Sequence, residues 1–217
     1  KDREPGAEVD KRAGTVTLPA VVCPYEEEES AEEEREEKEK GQEEEEGGTV
    51  KRLLVAGECG DGSAVFATSC TAEEVGRALS ELGLEPGSPG DERSAPRGPL
   101  LMVLVDCDAE GRRKSPEPIS RFVAHTRGRK PLTPVVWPLV AGADKDGAAE
   151  KPGRSSVLIA LHYGGGAALL QNPRTECREV TYRRHAEALP PPGTAVTVVL
   201  KVAPLRVATG TERKHVL

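Results

Sequence analysis

Short apolar, Val-rich runs of strand length recur along the chain, separated by Gly, Pro and charged residues, and they predict strands. The clearest are GTVTLPAVVC (14–23), TVKRLLVAGE (49–58), AVFATS (64–69), LLMVLVDC (100–107), VVWPLVAGA (135–143), SVLIALHY (156–163) and AVTVVLKVAP (195–204). Pro19 is expected to kink the first of them. One stretch changes period. Val75, Ala78, Leu79 and Leu82 recur at helical spacing, Thr71 precedes them with Glu74 three residues on, and Gly83 follows. This predicts a helix over 71–83, opened by a capping box and closed by a C-cap glycine.

The connectors complete the outline. CGDGSA carries Asp61-Gly62, a hairpin turn signal that would fold 49–58 and 64–69 into an antiparallel pair. PISRFVAH reads as strand or one helical turn, GGGAALLQNP as a tight loop with one turn of helix, and LPPPGT as a rigid turn. Residues 1–13 lack periodicity and read as a loose arm, and 205–217 as a tail. The fold class is α+β: a mainly antiparallel sheet with one helix and long irregular loops, in a single domain over 14–204.

Charge changes this picture in one place. Residues Glu26 to Glu46, EEEESAEEEREEKEKGQEEEE, hold fourteen glutamates against Arg35, Lys38 and Lys40, a net charge of −11. The whole chain carries −7, so the remainder, with 27 basic and 23 acidic side chains, is net positive by four. The acidity belongs to an insert at 26–46 and not to the fold. Three readings apply to the block, in this order: a solvated loop, a surface that docks on a basic partner, and a diffuse, weak binder of divalent cations.

Composition excludes some functions. The chain has 23 Gly, 18 Pro and six aromatic residues, so the core is built from Val, Leu and Ala. Scarce rings and the lack of a dense Lys/Arg cluster argue against a nucleic-acid platform. No apolar run reaches the roughly 18–20 residues that span a bilayer. Met102 is the single methionine, and a chain starting at Lys1 reads as processed or trimmed. A removed signal peptide, and with it export to the periplasm or beyond the cell, is the expectation.

Candidate chemistry is sparse. The five cysteines, Cys23, Cys59, Cys70, Cys107 and Cys177, include no CxxC pair, which leaves zinc ribbons and iron–sulfur clusters without support. The odd number leaves a thiol free or paired between chains. Cys59 and Cys70 flank the expected hairpin, where they form a disulfide across it or stand as small buried apolar residues. Asp106, Asp108 and Glu110 alternate after a strand and could chelate a hard cation, but they lack the full spacing of a calcium loop. A solvated turn is the better reading there. His125, His162, His185 and His215 show no metal-face spacing, and Gly164-Gly165-Gly166 lacks the Lys-Ser/Thr of a phosphate loop. No catalytic set and no cofactor site emerges.

Several stretches in order resemble the YdjY-type domain, an exported, planctomycete-like bacterial family of unknown function. They are GTVTLPAVVC, ATSCTAEEVGRALSELGLEPG, PLLMVLVD, VVWPLVAG, VLIALHYGGGAALLQNP and LPPPGTAVTVVLK, covering most of 14–202. The resemblance implies a fold and an exported location rather than a reaction. The chain departs from it by the glutamate insert and by CGDGSAVF, where many relatives carry Lys, His and Glu. It also lacks the ferredoxin-like cysteine clusters of some relatives, so their electron-transfer role does not carry over. The resulting expectation is a non-enzymatic exported interaction or assembly module with a protein partner. The alternative is a small ligand- or metal-binding accessory domain of a redox system.

Overall fold

The computed structural model describes residues 6–25, 49–59, 62–90, 94–107, 115–126, 131–140, 157–161, 168–173 and 182–204. Strands dominate, in a large mixed sheet with one α-helix. The strands are β1 (Glu8–Asp10), β2 (Thr15–Val22), β3 (Arg52–Ala56), β4 (Ala64–Thr68), β5 (Leu100–Asp106), β6 (Glu117–Pro118), β7 (Val123–His125), β8 (Trp137–Pro138), β9 (Val157–Ala160), β10 (Leu170–Gln171), β11 (Tyr182–Arg184) and β12 (Ala195–Val202). The main sheet runs β10-β9-β3-β4-β2-β12-β5-β6, with β1 added to β2 and β8 to β5. A separate pair, β11 with β7, lies beside it.

The centre is a three-strand ladder. Ala195–Lys201 of β12 lie opposite Val21–Thr15 of β2, and Thr197–Val202 lie opposite Asp106–Leu101 of β5, both antiparallel. Strict alternation makes this register unambiguous: Val196, Val198 and Leu200 point inward and are buried, as are Val16, Leu18 and Ala20, and Leu101, Val103 and Val105. A slip of one residue would turn every one of these side chains to solvent.

Each outer side of this ladder is shared by two short strands. On β2, β1 occupies Thr15–Thr17 and β4 occupies Val21–Val22. Pro19 falls in the interval, where a missing N–H breaks no ladder bond, and the Thr68 hydroxyl donates to its carbonyl (2.5 Å). The strand therefore runs unbroken through Pro19. On β5, β8 occupies Leu100–Leu101 and β6 occupies Leu104–Val105.

The sheet's ends meet. Leu139, just after β8, is bridged to Leu170 of β10, and the Val140 N–H donates to the Leu169 carbonyl (2.9 Å). Strands β8, β5, β12, β2, β4, β3, β9 and β10 thus form a ring around one core, in which Trp137, Phe66, Tyr182 and Leu54 are among the largest buried side chains. About eight strands give an interior that side chains alone can fill. At the seam the backbones approach closely. A Cβ on Gly98 would overlap the Leu139 carbonyl, and one on Gly87 the Arg97 carbonyl, so both positions need glycine.

Helix α1 (Ala72–Glu81) packs on β1 and β2 through Ala72, Val75, Ala78 and Leu79. Thr71 and Glu74 form the predicted capping box. At the other end Gly83 takes φ +78°, its N–H donates to the Ser80 carbonyl, and the Leu84 N–H donates to the Leu79 carbonyl, a Schellman closure.

Four expectations are corrected. First, β3 and β4 are parallel, with Arg52 opposite Ala64 and Ala56 opposite Thr68. Gly57 (φ +88°) and Gly62 (φ +74°) take left-handed backbone conformations between them, and Asp61 of the expected turn lies outside the described residues. Second, residues 8–10 of the presumed loose arm form β1, because the Asp10 carboxylate accepts from the Arg12 and Ala13 N–H groups and holds the turn into β2. Third, Leu170–Gln171 is extended rather than helical, drawn into the seam by β9 and Leu139. Fourth, only Trp137–Pro138 of the stretch 135–143 is strand, with 141–143 outside the described residues.

Truncating the central strand tests this architecture. Leu200→Ala should lower the unfolding free energy by about 2–5 kcal/mol in urea titration. Lys201→Ala, one residue on and exposed, should change it by less than about 0.5 kcal/mol.

Candidate functional site

Both ends of the acidic insert are fastened to the sheet. Cys23, just after β2, donates its N–H to the Val65 carbonyl of β4 (2.9 Å), and at the other end Val50 is bridged to Tyr182 of β11. Between them lies 26–48, outside the described residues.

Three interactions hold this base. The first is a disulfide between Cys23 and Cys59, with Cα atoms 5.3 Å apart and a sequence separation of 36. Of the two readings of Cys59 and Cys70, a bond across the hairpin is not formed, and Cys70 fits the other, a small buried residue. Because β3 and β4 are parallel, the segment after β3 carries Cys59 to Cys23 instead. The pair packs with Val55, Ala64 and Ala67 in an apolar cluster distinct from the main core. Cys70 is instead a free, buried thiol. Burial pushes its pKa up; Thr68 hydrogen bonding opposes that shift and the nearby Glu74 charge adds to it. Such a thiol is a poor nucleophile.

The second is Arg184 of β11. Its Nη2 donates to the carbonyls of Gly62 (2.5 Å) and Ala64 (2.6 Å), and its guanidinium lies 5.5 Å from the centre of the Tyr25 ring, one residue before the acidic block. Burial pushes the Arg184 pKa down, and Tyr25 opposes that shift. The third is Arg52, whose Nε donates to the Ser63 hydroxyl (2.9 Å), with a second, shorter contact from Nη2. Two guanidinium groups thus grip the 62–64 turn beside the insert's roots. Lys51 and Arg183 stand next to them in sequence.

The other candidates are not brought together. Asp106 ends β5 opposite Thr197, whereas Asp108 and Glu110 lie outside the described residues. Among the described residues no three His, Cys, Asp or Glu side chains stand close enough to hold a metal ion. His125 stacks at a tilt on Tyr182 (5.2 Å), and His185 Nδ1 lies 3.1 Å from the Arg121 carbonyl. His162, His215, Cys177 and Gly164–Gly166 lie outside the described residues. Among those described, no helix is long and apolar enough to cross a membrane.

The arginine clamp was missed in the sequence, although signals existed. Lys51-Arg52 follows the block after Gly47–Val50, and Arg183-Arg184 is a basic pair in a weakly alternating stretch. No family model, curated protein or solved structure matches the chain.

Peptide mapping without reductant should yield a Cys23–Cys59 cross-link and leave Cys70 alkylated only after unfolding. Closing a loop of this length is worth about 4 kcal/mol in the chain-entropy account, so reduction should lower stability by about 2–4 kcal/mol. Arg184→Met strands two carbonyls and should cost about 1–3 kcal/mol. Arg184→Lys should recover less than half, since an ammonium lacks the planar fork.

Proposed function

We propose that the domain is a non-enzymatic interaction or assembly module of an exported protein, and that its acidic block makes electrostatic contacts with a protein partner. One observation carries this reading. The block is spliced into a sheet complete without it, and both of its roots are fixed by the Cys23–Cys59 bond, the Arg184 clamp and the Val50–Tyr182 bridge. The segment between these roots carries a net charge of −11. Such a surface steers a basic partner and sets its orientation.

The disulfide supports the exported location, since such bonds persist in oxidising compartments. The ordered series of motifs resembling the YdjY-type domain belongs to the same proposal. Weak divalent-cation binding by the clustered carboxylates is compatible with it, and the partner is a protein rather than a nucleic acid. A stoichiometric metal in protein purified from its native source would favour the redox-accessory alternative.

The test is salt and deletion together. Raising NaCl from about 0.05 to about 0.5 M shortens the Debye length from roughly 14 to roughly 4 Å. Binding to partners captured from the native source should fall at least about tenfold over that range. Deleting 27–46 should abolish the binding and leave the circular dichroism of the fold unchanged. Salt-insensitive binding, or a deletion variant that fails to fold, would sink this reading.

A further inference from the structure

The Cys23–Cys59 bond joins two sulfurs in unlike surroundings. Cys23 is fully buried, whereas Cys59 is partly exposed. Among the described residues no backbone hydrogen bond reaches Glu58 or Cys59. The ties on either side are the Gly57 N–H, which donates to the Thr68 carbonyl (2.8 Å), and the Gly62 carbonyl, which accepts from Arg184 (2.5 Å). Between them, the disulfide is what fastens Cys59 to the sheet.

The bond also stands apart from what holds the fold. Cys59 packs on Cys23, Val55, Ala64 and Ala67, a cluster separate from the main core. Neither the ladder of β12 with β2 and β5 nor the closure at Leu139 and Leu170 passes through Cys59. Cys23 keeps its place without the bond, because its N–H donates to the Val65 carbonyl (2.9 Å).

We propose that Cys23–Cys59 is a reversible redox latch, opened by a dithiol reductant while the sheet stays folded. Partly exposed disulfides belong to the labile, regulatory class. A thiolate of the reductant attacks the accessible Cys59 sulfur, the S–S bond breaks, and its electron pair leaves with the Cys23 sulfur, which takes up a proton. The reductant's second thiol then attacks the mixed disulfide and releases Cys59, which is protonated in turn. Each protein sulfur gains one electron, and the dithiol is oxidised to its own disulfide. Opening frees Glu58 and Cys59 and uncovers Val55, Ala64 and Ala67 beside the first root of the insert. The ties at Gly57, Gly62 and Cys23 hold the two thiols near each other, so the bond re-forms when an oxidant returns. The latch makes no use of the acidic block's charge and stands or falls independently of the charge-driven contacts.

Cys70 supplies an internal control, because it is buried in the main core and is reached only when the sheet opens. Accessible free thiols, such as the partly exposed Cys107, are first blocked with N-ethylmaleimide in the intact chain. Dithiothreitol in native buffer, followed by iodoacetamide, should then label Cys23 and Cys59 at least about tenfold faster than Cys70. The circular dichroism should not change, and oxidised glutathione added in place of the alkylator should restore the cross-link. Cys59→Ala should expose Cys23 to labelling without reductant, again with Cys70 protected. A bond that resists dithiothreitol until urea is added, Cys70 labelled in step with the other two, or thiols that do not pair again would overturn the proposal.

Discussion

Everything in this fold hangs on the ladder that β12 makes with β2 and β5. The last strand of the sheet in sequence occupies its middle, between two strands that start some 180 and 95 residues earlier. Until β12 is in place, β2 and β5 have no common neighbour, and the inward rows of Val, Leu and Ala have nothing to close upon. The core is thus completed by contacts of large sequence separation, a topology that folds slowly and cooperatively. The same strand fixes the register for its neighbours, because its alternation of buried and exposed positions leaves a single arrangement that keeps Val196, Val198 and Leu200 dry.

A strong centre permits economical edges. β1 and β4 divide one side of β2, while β6 and β8 divide one side of β5, so strands as short as two residues suffice. Prolines sit where such division leaves a backbone group without a strand partner. Pro19 occupies the interval on β2, and its carbonyl is satisfied by Thr68. Pro118 and Pro138 end strands that need not continue. Closure at Leu139 and Leu170 then removes the open edge that would otherwise invite pairing with another chain.

What could be read in advance follows from which forces are local. The α1 boundaries were legible because Thr71, Glu74 and Gly83 act within one turn of the helix ends. Strands β2, β4, β5, β9 and β12 were legible because each is a short run rich in Val, Leu or Ala, bounded by turn residues or charges. Pairing direction was not. Asp61-Gly62 signals a hairpin, but β3 and β4 are set parallel by β9 and β2 on their outer sides, elements far away in sequence. The partner of Cys59 was hidden for the same reason: Cys59 and Cys70 would oppose each other only in an antiparallel pair. The Arg184 clamp was hidden for the same reason, since its acceptors at Gly62 and Ala64 are some 120 residues distant.

The position of the glutamate insert has a physical logic. β2 and β3 flank β4, so the chain ends that the insert joins lie one strand apart however many residues come between. Loop closure costs only about 0.6 kcal/mol for each doubling of length, which makes a long connection tolerable there. The Cys23–Cys59 bond encloses the entire block and imposes much of that closure on the unfolded chain as well, so the insert's length weighs less on stability than it would in an open loop. Fourteen glutamates crowded beside a folded core would still repel one another and favour expansion. Arg52 and Arg184 place positive charge at the roots, where that repulsion would otherwise act on the sheet itself. The clamp therefore serves the fold first, by holding the 62–64 turn and the Tyr25 ring against β11.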